Sequence, residues 1–297
     1  MAFDRTRSPL IFGEALFDCF PDGSQVLGGA PFNVAWHLQG FSTAPCFVSR
    51  VGSDALGERI VAAMTDHGMD LSGLQRDPDH ATGLVQVSLT GGEPSYEIVS
   101  DRAYDHIDAG ALPEAPPGAL LYHGTLALRQ PTSAAALAAL CAEGDPAVFI
   151  DVNLRAPWWD TTLVIALLER ARWVKLNADE LALLAPAGDN VEARARALCE
   201  RHQLDLLFVT LGAQGALAMA ADGQVERVAP GGAVEVVDAV GAGDGFASVL
   251  ILGLLRDWPL ALTLARAQAF AQAIVGRRGA TVSDPGFYAD WLAQWAS

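Results

Sequence analysis

Val234–Leu255 reads VEVVDAVGAGDGFASVLILGLL, and it divides at a turn. Val234–Val237 carries a β-branched strand signal. Phe246–Leu255 is apolar on all sides, as a buried helix requires. Between them lies Gly241-Ala242-Gly243-Asp244-Gly245. A glycine-rich turn that opens a buried helix presents free backbone N–H groups at the positive end of the helix dipole, and that makes an anion site. Asp244 falls in the first helical turn, where the dipole is expected to keep its carboxylate ionised. Two readings of it stand. It is an N-terminal cap on a tight turn, or it is a base beside a phosphoryl group that takes the proton of an attacking hydroxyl. A Walker A loop is excluded because its Lys is missing. A dinucleotide fingerprint is not completed, because Phe246 stands where its last glycine belongs.

Outward from this turn, strand-like and helix-like segments alternate, which predicts an α/β fold with a largely parallel sheet. Pro9–Gly13, Ala147–Val152, Trp173–Leu176 and Leu206–Thr210 read as strands, the last three ending in or next to polar residues. Phe32–Gln39 reads as a helix with Pro31 in its first turn, and Ala261–Arg277 as a long one. Two regions lack helical pattern. Phe17–Leu27 predicts a hairpin around Pro21-Asp22-Gly23, and Thr82–Val99 another, turning at Gly91-Gly92-Glu93-Pro94. Together they predict a small antiparallel sheet standing off the main one, with lid segments at about 14–28 and 82–105. Pro-rich Ala111–Gly118 is short enough for a loop, so residues 1–297 form a single domain.

Half of the 297 residues are apolar (51%) and 18% are charged, enough to bury a sizeable core. A net charge of −16 argues against nucleic acid or an anionic membrane as the main partner. Lys175 is the only lysine. Cys19, Cys46, Cys141 and Cys199 show no CxxC spacing and read as reduced thiols in a cytoplasmic protein. Glu14 and Asp18 interrupt the apolar start at Leu10–Phe12, against a signal peptide. No apolar run approaches the roughly 20 residues of a membrane span.

DAVGAGD (Asp238–Asp244) resembles the C-terminal signature of the PfkB, or ribokinase-like, carbohydrate kinases. GGAPFNVA (Gly28–Ala35) resembles their N-terminal signature. The intervening GEALFD (Gly13–Asp18), VGSDALG (Val51–Gly57), YHGTLAL (Tyr122–Leu128), DVNLRAPWW (Asp151–Trp159), KLNADE (Lys175–Glu180), VTLGAQGA (Val209–Ala216) and RGATVS (Arg278–Ser283) are similar to family segments too, several of them to the fructokinase pattern. The likeness covers essentially the whole chain. One departure is Ala239, where the family carries Thr, and the lost hydroxyl bears on activation by potassium.

The resemblance implies a ribokinase-like three-layer α/β/α sandwich with a small β-sheet lid, and an ATP-dependent kinase acting on a primary sugar hydroxyl with Mg²⁺. Asp244 would be the base, and Gly241, Ala242 and Gly243 the anion hole. Asp18, Gly29 and Asn33 would bind sugar hydroxyls, and Arg155 a phosphate or a substrate carboxylate; a cap role for Asn33 and an ion pair for Arg155 stay open. Lys175, Asn177, Thr210, Gly212, Gly215 and Gln268 would contact the nucleotide. Lys175 also reads as a solvated side chain. Glu180 would reach Mg²⁺ through water, or else close a capping box with Asn177. Asp238, Val240, Gly279 and Ser283 would surround a monovalent cation, K⁺. His123 reads as packing or bonding backbone. The aromatic stretch Tyr96–Tyr104 shapes the sugar pocket or packs the core. Fructose leads as substrate, followed by 2-keto-3-deoxygluconate clamped by Arg155 or Arg102, then ribose and nucleosides. A non-catalytic sugar-binding protein is the reading from another class. Dimerisation through the lid is a further implication.

Overall fold

The computed structural model describes residues 3–90, 93–232 and 237–296. β1 (Leu10–Phe12) starts the main sheet, and the hairpin β2 (Leu16–Cys19) and β3 (Gln25–Gly28) leaves it. α1 (Ala30–Gly40), β4 (Cys46–Gly52), α2 (Ala55–Asp66) and β5 (Leu74–Asp77) bring the chain back. A second hairpin, β6 (Gly83–Thr90) and β7 (Glu93–Ile98), departs again. Regular alternation follows: β8 (Leu120–His123), α3 (Pro131–Gly144), β9 (Ala147–Asp151), α4 (Thr161–Leu168), β10 (Trp173–Asn177), α5 (Ala178–Leu184), α6 (Val191–His202) and β11 (Leu206–Thr210). β12 (Ala216–Ala220), β13 (Val225–Val228), α7 (Ala242–Leu255), α8 (Leu260–Val275) and α9 (Pro285–Ala296) complete it.

The main sheet has the order β13-β12-β11-β10-β9-β8-β1-β4-β5. Its strands run parallel from β5 to β11, and β12 and β13 are added antiparallel. The period-2 alternation of strand side chains makes two cores. Ile11 and Phe149 join Phe32, Phe246, Leu250 and Phe270 on one face. Leu10, Phe12, Val148 and Ile150 join Leu137, Leu181 and Leu198 on the other. The result is the expected three layers. α7 is buried without interruption from Gly245 to Gly253, as its all-apolar sequence predicts, and it begins four residues earlier than that apolar run. Of the strand expected at Val234–Val237, only Val237 lies among the described residues; its N–H donates to the Val275 carbonyl.

The small sheet has the order β3-β2-β6-β7. Both hairpins pair antiparallel as expected; Gly91 and Gly92 of the second turn lie outside the described residues. The sheet as a whole is not antiparallel, because β2 and β6 pair parallel, Leu16 opposite Gly83. The reason is topological. β1 and β5 run the same way in the main sheet, so the strands that follow them emerge at the same edge and lie side by side. The stretch Tyr96–Tyr104 divides. Tyr96 is 57% exposed on β7, whereas Tyr104 is fully buried beneath the Arg129 guanidinium.

Candidate active site

A cavity of about 550 Å³ lies beyond the carboxyl ends of the main-sheet strands, the usual ligand position in open α/β sheets. The small sheet forms its other wall, through residues that include Asp18, Val85 and Tyr96. From the main body come Asn33, Arg155, Lys175, Gly241, Gly243 and Asp244.

Asp244 sits at the opening of α7. Gly241 is the N-cap, with φ 79°, and a Cβ there would stand 2.4 Å from the Ala280 Cβ, so only glycine fits this turn. No side chain caps the helix. The cap reading of Asp244 is therefore overturned: its carboxylate points into the cavity and accepts a 2.7 Å hydrogen bond from Asn33 Nδ2. The carboxylate is ionised at neutral pH, as the helix opening led one to expect, but not because its pKa is low. Burial pushes its pKa up to about 6, against the Asn33 hydrogen bond and the Lys175 charge, which favour the anion. A carboxylate poised there is ionised at neutral pH and still able to hold a proton.

Asn33 is 3% exposed in the first turn of α1, whose N-cap is Gly29, so its side chain caps nothing. Its Oδ1 is buried without a protein partner. Glu14 Oε2 is orphaned in the same way on the same cavity. Burial, with Asp244 nearby, pushes the Glu14 pKa up to about 7. Burial also raises Asp18, opposed by Arg155. Gly29 has φ 107°, and its backbone passes so close that a Cβ would stand 2.6 Å from the Glu14 carbonyl oxygen.

Lys175 is not a solvated lysine. It is 7% exposed, and its Nζ donates to Asp151 Oδ2 at 2.7 Å. Burial disfavours its charge, but Asp151 outweighs that and the pKa is raised. Nζ faces Gly243, placing the cation beside the helix opening. Asp151 Oδ1 has no protein partner.

Asn177 and Glu180 form a reciprocal capping box at the start of α5. Glu180 Oε2 accepts from the Asn177 N–H and Oε1 from the Leu154 N–H. Neither residue lines the cavity. Thr210 lies opposite Asn177 in the β10–β11 register. Gly212 and Gly215 close the turn into β12, the Gly215 N–H donating to the Gly212 carbonyl. Gln268 is half-buried on α8, apart from the cavity lining. The Asp238 carboxylate accepts from the Val240 and Gly279 N–H groups, so three members of the expected cation loop meet; Ser283 is exposed. His123 bonds the Gly124 carbonyl, and burial lowers its pKa to about 4. Arg102 does not line the cavity, and Arg155 does.

Two acids escaped the sequence reading: Glu14, which lines the cavity, and Asp151, which pairs with Lys175 behind its lining. Glu14 was visible as an acid closing an apolar strand, in the same GEALFD segment that pointed to Asp18. Asp151 was visible as the acid that ends the otherwise apolar strand AVFID.

The pfkB family carbohydrate kinases match residues 19–286. The chain belongs to that family. It is 31% identical to a fructokinase of Escherichia coli over 258 residues, covering 82% of this chain and 83% of the relative. It is 30% identical to the aminoimidazole riboside kinase of Salmonella typhimurium over 294 residues, 93% and 91% of the two chains. The crystal structure of a Vibrio cholerae fructokinase, solved with fructose, ADP and calcium, superposes with a TM-score of 0.83 at 27% identity, covering 97% of this chain and all of that one (100%). Among the described residues, no helix is long and apolar enough to cross a membrane.

Proposed function

We propose that the protein is an ATP-dependent fructokinase, transferring the γ-phosphoryl group in line to a primary hydroxyl of D-fructose and releasing fructose 6-phosphate and ADP. The observation that carries this is the Asp244 carboxylate, held by Asn33 on the cavity floor at the amide-rich opening of α7. Asp244 takes the hydroxyl proton as attack begins. The N–H groups of Gly241, Ala242 and Gly243, with the Lys175 ammonium, stabilise charge on the transferring group. Asp18, Gly29 and the orphaned Asn33 Oδ1 and Glu14 Oε2 pair with sugar hydroxyls, which would satisfy buried acceptors that the protein alone leaves empty.

Thr210 at the end of β11, Gly212 and Gly215 in the turn that follows, and Gln268 on α8 would border the nucleotide. Of the oxygen donors there, the unpartnered Oδ1 of Asp151 suits a hard cation such as Mg²⁺, and Asn177 and Glu180, whose side chains close the capping box, would reach it through water. An Mg²⁺ bound there with ATP would supply charge neutralisation of the phosphates. The Asp238–Gly279 loop would hold a monovalent cation. Small-sheet closure would exclude water, the competing acceptor. Reduced cysteines and strong negative charge fit a cytoplasmic enzyme.

A keto-acid reading is favoured by one observation: Arg155 lines the cavity and could clamp a carboxylate. ADP release with Mg-ATP and a panel of fructose, 2-keto-3-deoxygluconate, ribose, aminoimidazole riboside and adenosine decides. The expected result is the highest kcat/KM for fructose. Preference for the keto acid would move the substrate while keeping Asp244, and silence with every acceptor would overturn the kinase reading.

A further inference from the structure

Away from the cavity, at the root of the small sheet, two histidines and an aspartate converge. His80 lies on the segment that enters β6, and Asp101 and His106 on the segment that returns from β7. The imidazole rings of His80 and His106 stack, with centroids 3.6 Å apart and planes 15° apart. Asp101 Oδ1 is 2.8 Å from His106 Nε2 and 3.8 Å from His80 Nε2. One ligand atom from each residue lies within 4.8 Å of the other two. A tetrahedral ion with Zn–N bonds of about 2.0–2.1 Å spaces its ligands roughly 3.4 Å apart; because the lone pairs of stacked rings lie in nearly parallel planes, binding requires one imidazole to turn out of the stack toward the other.

The surroundings hold both histidines in place. His80 Nδ1 faces Asp77 Oδ2 at 3.0 Å. With Nδ1–H donating to that buried carboxylate, the Nε2 lone pair is left free 3.8 Å from Asp101 Oδ1, the carboxylate–histidine arrangement that orients metal-binding imidazoles. Arg50 secures both sides, its Nε pairing with Asp77 Oδ2 at 2.9 Å and its NH1 donating to the His106 carbonyl at 2.6 Å. Asp101 is 72% exposed, so an ion has access from solvent and a water could complete the coordination.

We propose that His80, Asp101 and His106 form a site for a divalent transition-metal ion of the Zn²⁺ class, coordinated through both Nε2 atoms and Asp101 Oδ1. Two imidazoles and one carboxylate select such an ion over Mg²⁺, which prefers an all-oxygen octahedron. Bound there, the ion ties the entering and returning segments of the second hairpin together and stiffens the root of the small sheet.

The test is calorimetric titration of chelator-treated protein with ZnCl₂, repeated with CoCl₂ while following visible absorption. Asp101→Asn and His106→Gln run alongside, both checked for folding by circular dichroism. The expected result is one equivalent bound per chain, a tetrahedral Co²⁺ spectrum, and affinity weakened at least about tenfold in each variant. Zn²⁺ should also raise the unfolding temperature of the parent protein and not of the variants. Absence of binding to the parent protein, or equal binding by parent and folded variants, overturns the proposal.

Discussion

The strands that carry the cavity's chemistry and those that face them differ in how firmly they are held. β1 and β9 are buried along their whole length, and β10 exposes only Asn177. In the small sheet, β3 exposes Gln25 and Val26, and Tyr96 on β7 faces solvent. Asp151 and Lys175 project from the rigid side, and Asp244 from a helix packed into its core. Asp18 and Tyr96 project from the other. This division suits a kinase: groups that act on the phosphoryl need fixed positions, whereas those that enclose the sugar must let it enter and leave.

Substitutions on the two sides should separate accordingly. The largest effect is expected from Asp244→Asn, which should cut turnover by at least about 10²-fold with ATP affinity nearly unchanged, measured by ADP release and calorimetry. The same variant should be more stable. The folded-state pKa, about 6, lies above the ordinary 3.8, so ionisation disfavours the native state. That penalty is absent well below pH 4 and grows as pH rises through 6. At pH 7.5 the variant should gain roughly 1–3 kcal/mol in urea unfolding. Loss of stability there would show that Asp244 is structural.

Lys175→Met should come next. It strands Asp151 as an unpaired buried charge, expected to lower stability by about 3–5 kcal/mol as well as turnover. Lys175→Met with Asp151→Asn should recover most of the stability and little of the activity. Recovery of both would remove Lys175 from the phosphoryl site.

Tyr96→Ala should have the smallest effect. Unfolding should shift by no more than about 0.5 kcal/mol, because the ring is exposed, while KM for the sugar rises and kcat changes little. A large stability loss would mean that the small sheet is as rigid as the main one.

Local patterns carried the sequence reading far. The α/β alternation, both hairpins and the buried helix after GAGD were legible because each rests on neighbouring residues. What escaped depends on residues distant in the chain. Nothing near Lys175 announces that Asp151 neutralises it, 24 positions away, and nothing near Asp244 announces that Asn33 holds it, 211 positions away. The parallel β2–β6 pairing follows from the order of the main sheet rather than from either hairpin. The helix opening at Asp244 was legible in the sequence; the desolvation by the surrounding protein, which dominates its pKa, was not.

The claim that Asp244 is the base is tested most directly by the pH dependence of kcat/KM for fructose between pH 5 and 8. The account predicts an acid limb, with activity falling about tenfold per pH unit below an apparent pKa near 6, and the same limb in Glu14→Gln. A flat profile down to pH 5, or a limb that disappears in Glu14→Gln, would contradict it and move the proton transfer away from Asp244.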